Sequence, residues 1–231
     1  MIDDQKIIVI IPAFNEELSI EAVLREIPPI VDHVIVVDNN STDATANIAN
    51  NNGAIVVSER KRGYGAACLA GLREAQLYAP DIIVFMDGDY SDYPEEIMSL
   101  IRPILYDNFE FVIGSRTRGR YQKGALLPQA RIGNFIACTL IRLLWRERFT
   151  DLGPFRAIRF TSLLSLSMQD LTWGWTVEMQ IKAAKKKYLC TEVPVRYRKR
   201  IGTSKITGTV SGSVKAGYKI LSTIFSHAIG T

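Results

Sequence analysis

Five short aliphatic runs, each followed by a helix-patterned stretch, constrain this chain more than any other feature. The runs are residues 6–11 (KIIVII), 33–37 (HVIVV), 54–57 (AIVV), 81–86 (DIIVFM) and 109–113. Each has strand length and a continuous rather than alternating apolar stretch, the pattern of a strand covered on both faces. Helical spacing falls between them. Residues 17–27 repeat Leu18, Val23, Leu24 and Ile27. Thr42 is placed to cap a helix over 43–49. Residues 65–78 are rich in Ala and Leu and stop before Pro80. Residues 94–101 open with Pro94, Glu95 and Glu96 near the positive end of a helix. Such alternation predicts an α/β fold, a mostly parallel sheet with helices on both faces. Ligands in these sheets bind beyond the carboxyl ends of the strands. Function is therefore expected at 12–16, 38–43 and 87–92, where the polar residues gather.

The second half is less regular. Helices are expected over 129–146 and 175–187, a strand over 189–195, then the basic loop RYRKRIGTSK. Residues 213–229 read as an amphipathic helix with Val214, Tyr218, Leu221, Phe225 and Ala228 on one face. No linker or repeat divides the chain, so residues 1–231 are expected to form one domain. A hydrophobic fraction of 47% excludes disorder, and no run of about 18 uncharged apolar residues predicts a membrane span. The acidic start MIDDQK lacks the features of a secretory signal, and the three cysteines lack metal or disulfide spacing. Both point to the cytoplasm. Charge is strongly split: residues 1–110 hold 7 Lys and Arg against 19 Asp and Glu, and the remainder holds 21 against 5. The acidic half suits a cation and the basic half suits phosphates.

The sharpest local signal is Asp87-Gly88-Asp89, where the fourth strand runs out. Two carboxylates two residues apart can point to the same side. They repel unless a cation or proton lies between them. Mg²⁺ or Mn²⁺, held by these carboxylates and by substrate phosphates, meets that need. The competing reading is a turn in which Asp89 or Asp92 caps the next helix, and Asp92 reads as such a cap. Pro12-Ala13-Phe14-Asn15-Glu16 and Asp38-Asn39-Asn40-Ser41-Thr42-Asp43 follow the first two strands, with Asp38 placed to accept hydrogen bonds from a nucleobase or ribose. The Gly63-Tyr64-Gly65 turn after Arg60-Lys61-Arg62 is either part of that site or an exposed basic helix entry. Neither a dinucleotide-binding glycine fingerprint nor a Walker phosphate loop is present.

Taken in order, PAFNEE, VDNNSTDAT, RGYGAACLAGL and FMDGDYSDYPEEI resemble the inverting family-two glycosyltransferases of the GT-A fold. The second half is similar to the dolichyl-phosphate and polyprenyl-phosphate mannose and glucose synthases. That likeness rests on IGSR ending at Arg116, the helix beginning near Arg131, DLGPFRAI from Asp151, WTVEMQIKA around Glu178, and VPVRYRKRIGTSK to Lys205. The resemblance implies a nucleotide-sugar-binding half over 1–115 and an acceptor-binding half over 116–231. Pro12, Phe14, Glu16 and Asp38 would hold the nucleoside. Asp87, Gly88 and Asp89 would hold the diphosphate through the metal, and Arg200 and Lys205 would close over the donor. Arg116 and Arg131 would hold the acceptor phosphate, so that Asp89, Arg116 and Arg131 carry the catalysis. The chain departs from many relatives at Asn39, where they have Asp, and at Ser91, where they have Gln. It lacks the Q-x-x-R-W motif of processive polymerases, which implies transfer of one sugar at a time.

The chemistry agrees with the resemblance. Displacement at an anomeric carbon releases a nucleoside diphosphate, whose charge needs a metal and cationic side chains. A hydroxyl acceptor needs a general base, and Asp151 and Glu178 are the candidates. A lipid monophosphate, with a second pKa of about 6, is already a dianion near neutrality and needs Arg for positioning. Arg116, Arg118, Arg120, Lys123 and Arg131 supply that charge. His33 and His227 find no role. The helix after residue 130 carries Ile132, Phe135, Ile136, Leu140, Leu143 and Leu144 beside Arg142 and Arg146. It suits a bilayer surface, core packing or a homo-oligomer interface. The expectation is a cytoplasmic, peripherally membrane-attached hexosyltransferase using a donor of the UDP-glucose or GDP-mannose type. The first rival keeps the donor but takes a sugar hydroxyl as acceptor. The second is a non-catalytic binder of nucleotide sugar or nucleic acid. Its basic segments lack the aromatic interleaving of a single-strand groove, which argues against nucleic acid.

Overall fold

A computed structural model describes residues 2, 4–202 and 210–230. Its centre is one seven-stranded sheet. The strands are β1 (Ile7–Ala13), β2 (His33–Asp38), β3 (Ile55–Ser58), β4 (Ile82–Phe85), β5 (Phe111–Ser115), β6 (Arg156–Arg159) and β7 (Cys190–Pro194). They lie in the order β3-β2-β1-β4-β6-β5-β7. The pairings are parallel except that β6 runs against both β4 and β5. The five strands read from apolar runs are present, each within two residues of its expected limits. β1 extends two residues further than expected, to Ala13, because residues 12 and 13 continue the ladder to Val37 and Asp38.

β6 corrects the sequence reading, which placed no strand there. Its RAIR sequence hides the signal, because Arg156 is fully buried. The Arg156 guanidinium donates to the carbonyl oxygens of Leu152, Gly153 and Thr176 and lies over the Phe111 ring. Burial without a carboxylate partner pulls its pKa down to about 10. An arginine can occupy a core strand here only because backbone oxygens replace its water.

Eight helices are described: α1 (Ile20–Arg25), α2 (Thr45–Asn51), α3 (Tyr64–Ala75), α4 (Ile97–Tyr106), α5 (Pro128–Trp145), α6 (Phe160–Leu166), α7 (Trp175–Lys185) and α8 (Val210–Ile229). β1 shows how the faces are divided. Ile8 and Ile10 face the cluster that takes in α3, α5, α6, α7 and α8. Ile7, Val9 and Ile11 face the cluster that takes in α1, α2 and α4. That two-sided burial is why the run is apolar at every position.

Two helix starts differ from expectation. α2 begins after Ala44, and Asp43, not Thr42, accepts from its first N–H, that of Thr45, at 3.0 Å. Thr42 is drawn away by Asn15, whose side-chain oxygen accepts from the Thr42 backbone N–H at 2.8 Å. The stretch from Pro94 begins as a 3-10 turn over Pro94–Glu96, and α4 then continues past Pro103. Asp92 caps neither; it is buried and points toward β4's end.

Candidate functional site

The carboxyl ends of β1, β2 and β4 open into a cavity of about 330 Å³. β1 contributes Pro12 and Ala13, followed by Phe14 and Glu16. Asn39 follows β2, and Asp87, Gly88 and Asp89 follow β4. Arg62, Gly63, Tyr64 and Ala67 come from the start of α3 and the loop before it. Thr172, Trp173 and Arg200 complete the wall. Of the residues expected to hold a nucleotide sugar, Pro12, Phe14, Glu16, Asp87, Gly88, Asp89 and Arg200 line this space. Asp38 does not; its carboxylate accepts from the Ser41 backbone N–H at 3.3 Å. Lys205 lies outside the described residues.

The two carboxylates of the Asp-Gly-Asp turn differ sharply. Asp89 is buried and engaged at both oxygens, accepting from the Ser91 N–H at 2.9 Å and pairing with Arg200 at 2.8 Å. No hydrogen bond among the described residues reaches the Asp87 carboxylate. Desolvation by the cavity walls, then repulsion from Asp89, push its pKa up to about 7. Asp92 sits behind them and accepts from the Asp87 N–H at 3.3 Å, with its other oxygen unpartnered. Burial and the charges of Asp87 and Asp89 hold its carboxyl well above the usual range. This concentration of negative charge facing an open space fits a divalent cation. Among the described residues no group of three or more His, Cys, Asp or Glu converges on a metal position. A cation here would draw its remaining ligands from substrate oxygens or water, as Mg²⁺ commonly does.

The basic segment RYRKR is pinned down by an alternation. Arg196 pairs with Glu95 and Glu96, Arg198 with Glu26, and Arg200 with Asp89. Every second side chain of this extended stretch therefore reaches toward the acidic loop that follows β4. Backbone bonds from Arg198 N–H to Ser91 and from Ile201 N–H to Asp89 seal the contact. Asn39 fixes a second loop. Its amide donates to the carbonyls of Glu59 and Lys61 and accepts from the Gly63 N–H. An Asp at this position could not donate to either carbonyl. That loop brings Arg62 over the Phe14 ring at 3.8 Å.

Sequence reasoning placed Asn39 within an expected functional stretch but missed Thr172 and Trp173. Only Gly63 and Gly65 hinted at the last two. A Cβ on Gly63 would lie 2.1 Å from the Leu171 carbonyl oxygen, and one on Gly65 would lie 1.9 Å from that of Asp170. These glycines let the loop before α7 rest on the start of α3.

Asp151 and Glu178, the two candidate bases, are already committed. Arg116 grips Asp151 through its backbone N–H, Nε and Nη2 at 2.8, 2.9 and 2.6 Å. Burial opposes the Arg116 charge, but Asp151 more than offsets this and holds the guanidinium well above its ordinary value. Glu178 accepts from the N–H groups of Gln169 and Asp170 and pairs with Lys182 at 2.7 Å.

Arg131 lies elsewhere. It is exposed on α5 and lines a second groove of about 630 Å³ with Thr117, Ile132, Phe135, Cys138, Arg142 and Phe149. Arg116 lines neither space but neighbours Thr117 in sequence. Ile132, Phe135, Ile136, Leu143 and Leu144 of α5 are exposed, as are Val214, Tyr218, Leu221, Phe225 and Ile229 of α8. No described helix is long and apolar enough to cross a membrane.

Comparison with known proteins places this architecture. Residues 8–166 match the model of "Glycosyl transferase family 2". A Mycobacterium tuberculosis protein named an uncharacterised glycosyltransferase is 35% identical over 210 residues, covering 90% of this chain and 93% of that one. The dolichyl-phosphate hexose transferase of Haloferax volcanii is 32% identical over 212 residues, covering 89% and 88%. Among solved structures, glucosyl-3-phosphoglycerate synthase from Mycobacterium tuberculosis, in complex with Mg²⁺ and uridine diphosphate, superposes with a TM-score of 0.78. It is 25% identical, and the match covers 97% of this chain and 80% of that one. The fold is GT-A, with the antiparallel β6 inside an otherwise parallel sheet.

Proposed function

The chain belongs to glycosyl transferase family 2, and from that premise we propose that it transfers one hexose, with inversion, from a nucleotide sugar to a polyprenyl or dolichyl phosphate. The donor is of the UDP-glucose or GDP-mannose type. Its nucleoside lies along Pro12, Phe14 and Glu16, with Asp38 supporting the loop after β2. Mg²⁺ or Mn²⁺ would be held by Asp87 and Asp89 together with diphosphate oxygens, and would neutralise the charge of the leaving group. Arg200 adds a cation on the same side, and the family resemblance assigns Lys205 to the donor as well.

The observation that carries the choice of acceptor is the commitment of both candidate bases. Asp151 is locked to Arg116, and Glu178 holds backbone N–H groups and Lys182. An acceptor that arrives already ionised needs neither. A phosphate monoester, with a second pKa of about 6, is such an acceptor. The α5 groove offers it Arg131 and Arg142 on an apolar wall. Arginine matches phosphate with two parallel hydrogen bonds. Arg116, one residue from groove-lining Thr117, supports the groove's edge through its pair with Asp151. The name of the Haloferax relative supports the same acceptor class. The exposed apolar residues of α5 and α8, with Arg142, Arg146 and Lys215 nearby in sequence, suit attachment to the cytoplasmic face of a membrane.

The test is a panel of labelled nucleotide sugars crossed with polyprenyl phosphate and with sugar acceptors. Transfer to the lipid phosphate that stops in EDTA and returns with Mn²⁺ is expected. Transfer to sugar hydroxyls alone would overturn the acceptor, and binding without transfer would overturn the enzyme.

A further inference from the structure

We propose that Trp173 is the platform on which the donor's hexose ring rests, and so a residue that selects the sugar. This inference rests on the nucleotide-sugar reading above and adds a contact residue to it. The first observation is position. β4 ends at Phe85, and Asp87, two residues on, lines the cavity. The Trp175 ring packs edge-on against Phe85, with centroids 5.9 Å apart. Trp173, two residues earlier, lines the cavity that Asp87 also lines. Two other aromatic rings lie in that wall: Tyr64 at the start of α3, and Phe14, which follows β1 and lies under Arg62. A nucleotide sugar is linear: base, ribose, diphosphate, hexose. With the diphosphate at Asp87 and Asp89 and the base toward Phe14, the hexose is assigned to the stretch of wall that Trp173 forms.

The second observation is the construction of the loop that carries Trp173. Glu178 accepts from the N–H groups of Gln169 and Asp170. Asp170 Oδ1 accepts from the N–H groups of Thr172 and Gly174, at 2.7 and 3.2 Å. Asp170 Oδ2 pairs with Lys219 of α8 at 2.7 Å. The carbonyls of Leu171 and Thr172 accept from the N–H groups of Ala66 and Gly65, at 3.0 and 3.2 Å. Ties on both sides of Trp173 hold its backbone, yet no hydrogen bond among the described residues reaches its indole N–H. A side chain rigidly presented with a free donor and an apolar face matches a pyranose, which has C–H groups on its faces and hydroxyls at its rim.

The experiment compares wild type, Trp173→Ala and Trp173→Phe by calorimetry with Mn²⁺. The probes are UDP, GDP, UDP-glucose and GDP-mannose. For Trp173→Ala, binding of the nucleoside diphosphate is expected to stay within about twofold of wild type. Binding of the matching nucleotide sugar should weaken about tenfold, and Trp173→Phe should recover most of it. The indole fluorescence lost on replacing Trp173 with Phe should be the part that responds to nucleotide sugar but not to diphosphate. Equal binding of nucleotide sugar by wild type and Trp173→Ala would overturn the platform and leave the donor reading standing. Parallel loss of diphosphate and nucleotide sugar would also overturn it, by making Trp173 a general support of the cavity. Failure of the wild type to bind any nucleotide sugar would overturn both readings.

Discussion

The cavity at the end of β4 and the groove along α5 are built on opposite plans. Around the cavity nearly every polar side chain is held in place. Asp89 is gripped by Ser91 and Arg200, Asn39 by three backbone partners, and the Trp173 loop by Asp170 and Glu178. Along α5 the cations and apolar side chains stand in the open, with Arg131 and Phe135 both exposed. A small polar ligand is bound best by donors and charges fixed in advance. A flexible, greasy ligand or surface needs area and cations more than fixed geometry. The difference teaches that one protein presents a preorganised polar cavity beside an open face of cations and apolar side chains.

The largest effect that could break this contrast belongs to the carboxylates. Metal stabilisation of a leaving group is worth several kcal/mol, so Asp87→Asn or Asp89→Asn should lower turnover by roughly a hundred- to ten-thousandfold. Circular dichroism should show both variants folded.

Arg116 and Arg131 sharpen the contrast, since one is locked and the other open. Side-chain exposure is 16% for Arg116 and 1% for Asp151. Removing one partner of a buried pair costs about 3–5 kcal/mol. Arg116→Ala should therefore lower the unfolding midpoint in denaturant markedly, whatever it does to transfer. Arg131→Ala should leave that midpoint almost unchanged. Loss of a charge-assisted hydrogen bond, roughly 1.5–3 kcal/mol, should instead cut transfer to polyprenyl phosphate about ten- to a hundredfold. Nucleotide binding, read by calorimetry, should be untouched.

Phe135→Asp on the open face should reduce sedimentation with anionic liposomes at low salt. Binding of a water-soluble nucleotide should persist. Unaltered sedimentation would assign the α5 face to a second copy of the chain or to another protein.

The smallest effect concerns the pinned RYRKR segment. Burial opposes the charge of Glu26, but hydrogen bonds from Arg198 and Tyr90 hold its pKa below the ordinary 4.5. The pair therefore stabilises the fold above about pH 4.5, and the benefit disappears as pH falls through the lowered folded-state value. Partial exposure limits it to about 1 kcal/mol. Glu26→Gln should melt slightly lower than wild type at pH 7, and the two should converge in acid.

The legible parts of the molecule are those whose signal is local. β1, β2 and β4 announce themselves as aliphatic runs because each strand is buried on both faces. The Asp-Gly-Asp turn stands out because two carboxylates end such a run. β6 was invisible because its buried Arg156 is satisfied by carbonyls from Leu152, Gly153 and Thr176, which no spacing rule anticipates. Asp92 resembled a cap because its burial behind Asp87 depends on how the turn after β4 folds back. Thr172 and Trp173 reach the cavity from about 85 residues beyond Asp87 in sequence, through backbone contacts with α3. Their only trace was the paired glycines at 63 and 65. Arg116 and Arg131 looked equivalent as basic residues, and only three-dimensional packing separates the one locked to Asp151 from the one left open.

The central claim is that a cation-dependent donor site feeds an acceptor that needs no protein base. The most direct measurement is single-turnover transfer from labelled nucleotide sugar to polyprenyl phosphate in Mn²⁺, followed from pH 5 to pH 8 for wild type and Glu178→Gln. Both profiles should rise through the second ionisation of the phosphate, at about pH 6, with the same midpoint, Glu178→Gln lowering only the plateau through its hold on Gln169 and Asp170. Transfer to the lipid that persists in EDTA, or activity that requires Glu178 and a hydroxyl acceptor, would contradict the account.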